Sequence, residues 1–163
     1  MSQKTVQTKK QHTAGLNSVV VALGAEDAER VSRLAEEAID IAGPADATVV
    51  ITHVFARDGF DERVDALHFD RENVSADDVA ARYAPVRELA AALDEAGVDY
   101  EIRGALGDYA EKVVAAAEEH DSDMVLVGGR KRSPTGKAVF GSVAQEVMLS
   151  APCPVTFVRA DTK

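Results

Sequence analysis

One loop stands apart in this sequence of 163 residues. The segment Val127-Gly-Gly-Arg-Lys-Arg-Ser-Pro-Thr-Gly-Lys-Ala-Val-Phe-Gly-Ser142 holds Arg130, Lys131, Arg132 and Lys137. No Asp or Glu occurs from Met124 to Gln145, although the chain as a whole has 28 acids against 18 bases and a net charge of −10. Clustered cations repel by roughly 0.2–1 kcal/mol per exposed pair. A bound anion relieves that repulsion. Gly128 and Gly129 free the backbone to turn sharply. Gly141-Ser142 lies where a helix is expected to begin, and the free N–H groups and dipole of a helix start favour a phosphate. The Ser142 hydroxyl is a further donor. The competing reading makes Gly141 a tight turn, Ser142 an ordinary N-cap and the bases a solvated loop or a contact for acids of another subunit.

Thr135-Gly136-Lys137 resembles the end of a Walker A loop, but the leading glycine position is Lys131 and Ala138 follows the lysine, so no Mg²⁺-binding hydroxyl is in place. His12, His53, His68 and His120 share no metal-ligand spacing, so no metal site is expected. His53 reads as a hydrogen-bonded core residue at a strand end. Cys153, between two prolines, reads as a small buried packing residue. Ser133 and Thr135 read as ordinary loop hydroxyls rather than phosphate acceptors. Asp121 and Asp123 are expected to cap and solvate the turn before a strand. No Ser/His/Asp spacing marks a catalytic set.

The elements that position the loop follow from apolar periodicity. Ser18–Leu23, Ala47–Phe55 and Met124–Val127 are continuous apolar runs, the signature of strands buried on both faces. Val98–Ile102 alternates and is expected at a sheet edge, and Val155–Val158 is the last strand. Helices are predicted over about 28–42, ended by Gly43-Pro44, over 77–96 with a kink at Pro85, over 108–119 and over 142–149. Ser75 is a candidate N-cap, and Ala110, Val113, Val114 and Ala117 are expected to face inward. Residues 56–74 read as a long loop with at most a short helix. Strict alternation of strand and helix predicts a single-domain α/β fold, a doubly wound parallel sheet with helices on both faces. Ligands of such sheets bind beyond the carboxyl ends of the strands, where the winding reverses, so the loops after the first and fourth strands are the places to look.

Composition sets the outer limits. Hydrophobic residues make up 46 % of the chain, enough for a core, and no apolar run is long enough to span a membrane. The single cysteine excludes an internal disulfide framework. Residues 1–15 carry Lys4, Lys9 and Lys10 with no acid and read as a disordered basic tail before a domain over 16–163. The rest of the chain is at −13, and Arg outnumbers Lys by 11 to 7. An acidic, Lys-poor surface fits a high-salt cytoplasm, where repulsion is screened. Bulk acidity argues against nucleic acid as a partner.

With these residues in place, the chain resembles the universal stress proteins from about residue 17 to 159. The first strand and helix, Thr52-His53-Val54, Gly104 with the helix after Gly107, Asp123-Met-Val-Leu-Val-Gly128 and Ala151-Pro-Cys-Pro-Val155 carry the likeness together. The resemblance implies a five-stranded parallel sheet of order 3-2-1-4-5 and a homodimer paired through the last strand, Val155–Val158. It also implies that some members bind ATP, with Mg²⁺, through a G-x2-G-x9-G-[ST] pattern. Gly128 and Gly141-Ser142 match that pattern, and Lys131 stands at its second glycine. The Asp that contacts adenosine at the end of the first strand is Gly24 here, and the backbone contact to adenine falls at Val54. The implied ligand-binding set is thus Gly24, Val54, Gly128, Gly129, Arg130, Lys131, Gly141 and Ser142.

Three readings follow. The first is a nucleotide-responsive binding module acting in stress. The second is a nucleotide-free dimeric signalling module whose basic loop contacts a protein; Gly24 and Lys131 favour it. The third, a slow ATPase, lacks an evident general base near the loop.

Overall fold

A computed structural model describes residues 15–24, 27–129 and 142–159. The basic tail, apart from Gly15, and the loop residues 130–141 lie outside the described residues. Five parallel strands form one sheet: β1 (Ser18–Leu23), β2 (Thr48–Phe55), β3 (Tyr100–Leu106), β4 (Met124–Gly129) and β5 (Val155–Arg159). Their order is β3-β2-β1-β4-β5, the doubly wound arrangement expected. The winding reverses between β1 and β4.

Val19 to Leu23 of β1 have no exposed surface, which explains an unbroken apolar run in a strand covered on both faces. On one face Val19, Val21 and Leu23 pack against α1 (Val31–Ala45) and α4 (Ala84–Ala96). On the other, Val20 and Ala22 meet α5 (Tyr109–Glu119) and, at Val147, α6 (Ser142–Ser150). Asp123 ties the starts of β1 and β4 together: its Oδ2 accepts the N–H of Asn17 at 2.7 Å and of Ser18 at 3.1 Å. Its role is therefore more than solvating a turn.

Several boundaries differ from expectation for local reasons. The first helix runs past Gly43-Pro44, with Pro44 inside its last turn. It ends instead at Asp46, in the left-handed region at φ 57°, whose N–H reaches the carbonyls of Ala42 and Gly43. Within the segment 56–74, read as a long loop with at most a short helix, residues 57–66 form the ten-residue helix α2 (Arg57–Ala66), fastened by Val64 and Phe60 packing around Phe55. The expected kinked helix over 77–96 is two helices. Tyr83 is extended between α3 (Ala76–Arg82) and α4, and Pro85 helps start the second helix rather than bend the first. Ser75 caps α3 as expected, in a capping box with Asp78. In α5 Ala116 is buried while Val114 is only half-buried. Cys153 is half-buried rather than buried.

The edge strand β3 is guarded. Its Gly104 N–H donates to Asp77 Oδ1 at 2.7 Å, at the start of α3. A Cβ on Gly104 would lie 2.1 Å from the Ala76 carbonyl oxygen. That contact is with backbone and cannot be relieved by a rotamer change. Gly104→Ala is expected to destabilise the fold by about 3 kcal/mol, read as a lowered midpoint in denaturant unfolding with the slope unchanged.

Candidate functional site

The strand register brings the expected site residues to one level. Ala22 pairs with Val127 and Leu23 with His53, so Gly24, Val54 and Gly129 follow side by side at the carboxyl ends of β1, β2 and β4. Val54 is buried on the α5 side of the sheet. Ser142 opens α6. Arg130, Lys131 and Gly141, and the side chain of Ser142, lie outside the described residues.

Gly128 and Gly129 do not make the expected turn: both continue β4. Their missing side chains serve packing. A Cβ on Gly129 would overlap the Phe157 ring, 1.9 Å from Cζ. A Cβ on Gly128 would lie 2.5 Å from Asp27 Oδ1 and 2.9 Å from Arg30 Cδ.

Asp27 and Arg30 were not singled out in the sequence, yet they lie at the point where the winding reverses. Asp27 precedes a short 3₁₀ turn, Ala28–Arg30, that leads into α1. Its side chain does not cap that turn but reaches back, and Oδ2 accepts the Gly24 N–H at 2.7 Å. The other oxygen, Oδ1, pairs with Arg30 Nη1. Asp27 is 5 % exposed, an unusual burial for a carboxylate without such partners. The ring of Tyr109, at the start of α5, closes the other side, 3.1 Å from where a Gly24 Cβ would stand. Burial first, and the Asp27 charge second, raise the Tyr109 phenol above its ordinary range, against the opposing pull of Arg30. The available signal was a lone Asp-x-x-Arg after a strand-ending glycine, a spacing that many exposed helix starts share.

His53 is the hydrogen-bonded core residue expected. Its Nδ1 lies 2.8 Å from the Leu23 carbonyl oxygen, which fixes that nitrogen as the donor, and its ring stacks on Tyr83 at 4.2 Å. Arg63 lies over the Tyr83 ring, 4.3 Å from its centre. Among the described residues, one shallow hollow lies on α4 by Glu88 and Glu95 and another, of about 610 Å³, between α5 and α6 by Glu111 and Glu146. Neither touches the crevice at the strand ends. Among the described residues no three His, Cys, Asp or Glu gather as metal ligands, and no helix is long and apolar enough to cross a membrane.

The sequence profile of the universal stress protein family matches residues 16–159. The chain belongs to that family. A universal stress protein of Mycolicibacterium smegmatis is 39 % identical over 80 residues, 48 % of this chain and 62 % of the relative. The chain aligns with less than two thirds of the length of the curated relatives it matches. A universal stress protein crystallised in complex with cAMP superimposes with a TM-score of 0.61 at 22 % identity, over 91 % of this chain and all of that one. One from Arabidopsis thaliana with AMP bound gives 0.59 at 16 % identity, over 90 % and 93 %. At these identities the structures establish the shared fold.

This universal stress protein buries a histidine that is charged at mildly acid pH in an unfolded chain. Desolvation dominates and lowers its pKa from 6.5 to about 4, the Leu23 carbonyl opposes, and Arg63 adds to the lowering. The unfolded state therefore binds the extra proton between those values. The stability contribution is complete above about pH 6.5 and is lost as pH falls towards 4, by about 3 kcal/mol in all. Unfolding free energies from pH 7 to 4 should fall less steeply in His53→Asn, which keeps an N–H for Leu23 and cannot titrate.

Proposed function

We propose that this protein binds an adenine nucleotide or a related phosphate ligand at the carboxyl ends of β1, β2 and β4, and that occupancy serves a stress response in the cytoplasm. The observation that carries this reading is the level row Val54, Gly24 and Gly129 beside the reversal of winding, leading into the basic segment 130–137 and the start of α6 at Ser142. The strand ends carry no side chains of their own at Gly24 and Gly129, and Tyr109 and Phe157 pack against them. Cations and a helix start beyond the strand ends suit the ligand's phosphates. The solved relatives holding cAMP and AMP support the choice of an adenine nucleotide. ATP would bring Mg²⁺ on its own phosphates.

Calorimetry with AMP and with ATP–Mg²⁺ in molar KCl tests it. Saturable binding below millimolar concentration is expected, weakened about tenfold or more by Gly141→Asp, which puts a carboxylate at the helix start. No binding by the parent protein at millimolar nucleotide overturns the reading.

The nucleotide-free module remains a second reading because Asp27 and Arg30 already pack on Gly128. Both readings include a homodimer through β5. Asp77 and α3 cover the β3 edge, whereas no described strand pairs with the outer side of β5. The Val125 N–H donates to the Pro154 carbonyl, so alternation turns the N–H of Val155 away from β4. Val155→Pro should therefore leave the sheet intact and shift sedimentation from dimer to monomer; a parent that sediments as a monomer excludes this pairing.

A further inference from the structure

We propose that Arg30 is an anion-binding residue of the crevice and that Asp27 is its resident counter-ion, competing with the ligand's phosphate for it. The proposal rests on the nucleotide reading above and adds two residues and a rule of selection to it. Three observations carry it. The Asp27 carboxylate sits between the ends of β1 and β4: Oδ2 is held by the Gly24 N–H and lies 3.6 Å from where a Gly24 Cβ would stand, while Oδ1 is 2.5 Å from where a Gly128 Cβ would stand. The Arg30 stem rests on Gly128 as well, so its guanidinium is held beside the ends of β1 and β4 and not in open solvent; the side chain is 14 % exposed. The ion pair joins the two residues directly.

A pair buried this deeply has lost most of its hydration. A phosphate entering beside Gly128 meets a carboxylate first, and juxtaposed like charges cost several kcal/mol. The same phosphate gains a planar guanidinium if Arg30 exchanges partners, since Arg binds carboxylate and phosphate oxygens by the same forked geometry. Asp27 thus opposes every anion, and only those that compete well for Arg30 are admitted. A neutral nucleoside neither suffers the repulsion nor gains the guanidinium.

The test compares AMP with adenosine by calorimetry at fixed KCl, in the parent, in Asp27→Asn and in Asp27→Asn/Arg30→Gln. Asn keeps an acceptor for the Gly24 N–H. Asp27→Ser, which also accepts from nearby backbone N–H groups, replaces it should the first variant fail a thermal melt. AMP is expected to bind Asp27→Asn at least about tenfold tighter than the parent, with adenosine unchanged and the gain lost in the double variant. AMP binding that appears only once Asp27 is neutralised overturns the nucleotide reading of the parent protein, and the proposal with it. Equal tightening of AMP and adenosine, an unchanged AMP affinity, or a gain that survives Arg30→Gln overturns the proposal and leaves nucleotide binding standing. Failure of AMP to bind any of the three overturns both.

Discussion

The central strand β1 has no exposed atom between Val19 and Leu23 and no polar side chain among them, so its backbone can satisfy its hydrogen bonds only through β2 and β4. That obligation fixes the register on both sides at once. A slip of one residue would turn Val20 and Ala22 towards α1 and α4 and empty both cores. The level row at the top of the sheet, Val54, Gly24 and Gly129, is therefore a consequence of how the bottom is packed. Asp123, bonded to the N–H groups of Asn17 and Ser18, holds the opposite end in the same register.

At the row itself two demands conflict. The proposed ligand site calls for bare backbone at the strand ends. A folded chain needs buried surfaces filled, and the neighbouring side chains do that. Phe157 fills the space over Gly129, Tyr109 presses on Gly24, and Asp27 with Arg30 lies on Gly128. Each glycine thus has a packing reason independent of any ligand. Gly128 adjoins both members of an ion pair, and a buried ion pair yields more readily to a competing ion than an aromatic ring does, because its stability depends on a partner that can be replaced.

The sheet order, the central strands and the buried helix faces were legible because both cores impose their periods on the chain: Val79, Tyr83, Val86, Ala90 and Leu93 are buried as the spacing required. What was missed rests on contacts distant in sequence or on local geometry with no periodic trace. Residues 57–66 are mostly polar, and α2 is held by Phe60 and Val64 against Phe55, a cluster that only the folded chain assembles. The ending of α1 at Asp46 depends on one left-handed residue, and Pro85 reads alike in a kink and in a first turn. Of the candidate site residues, Gly24, Val54, Gly128 and Gly129 were named from the strands and the family pattern. Asp27 was not, because its significance comes from a bond backwards to Gly24 and a contact with a strand about a hundred residues away.

The guard on β3 has a consequence for assembly. A sheet with two available edges can add copies at both and grow into a filament, a hazard that sheet proteins suppress at their edges. Here the fit of Gly104 against Ala76 is tight enough that α3 cannot be exchanged for another strand without leaving its place. Were two chains to pair through β5, only guarded strands would lie at either end, and growth would stop at the pair.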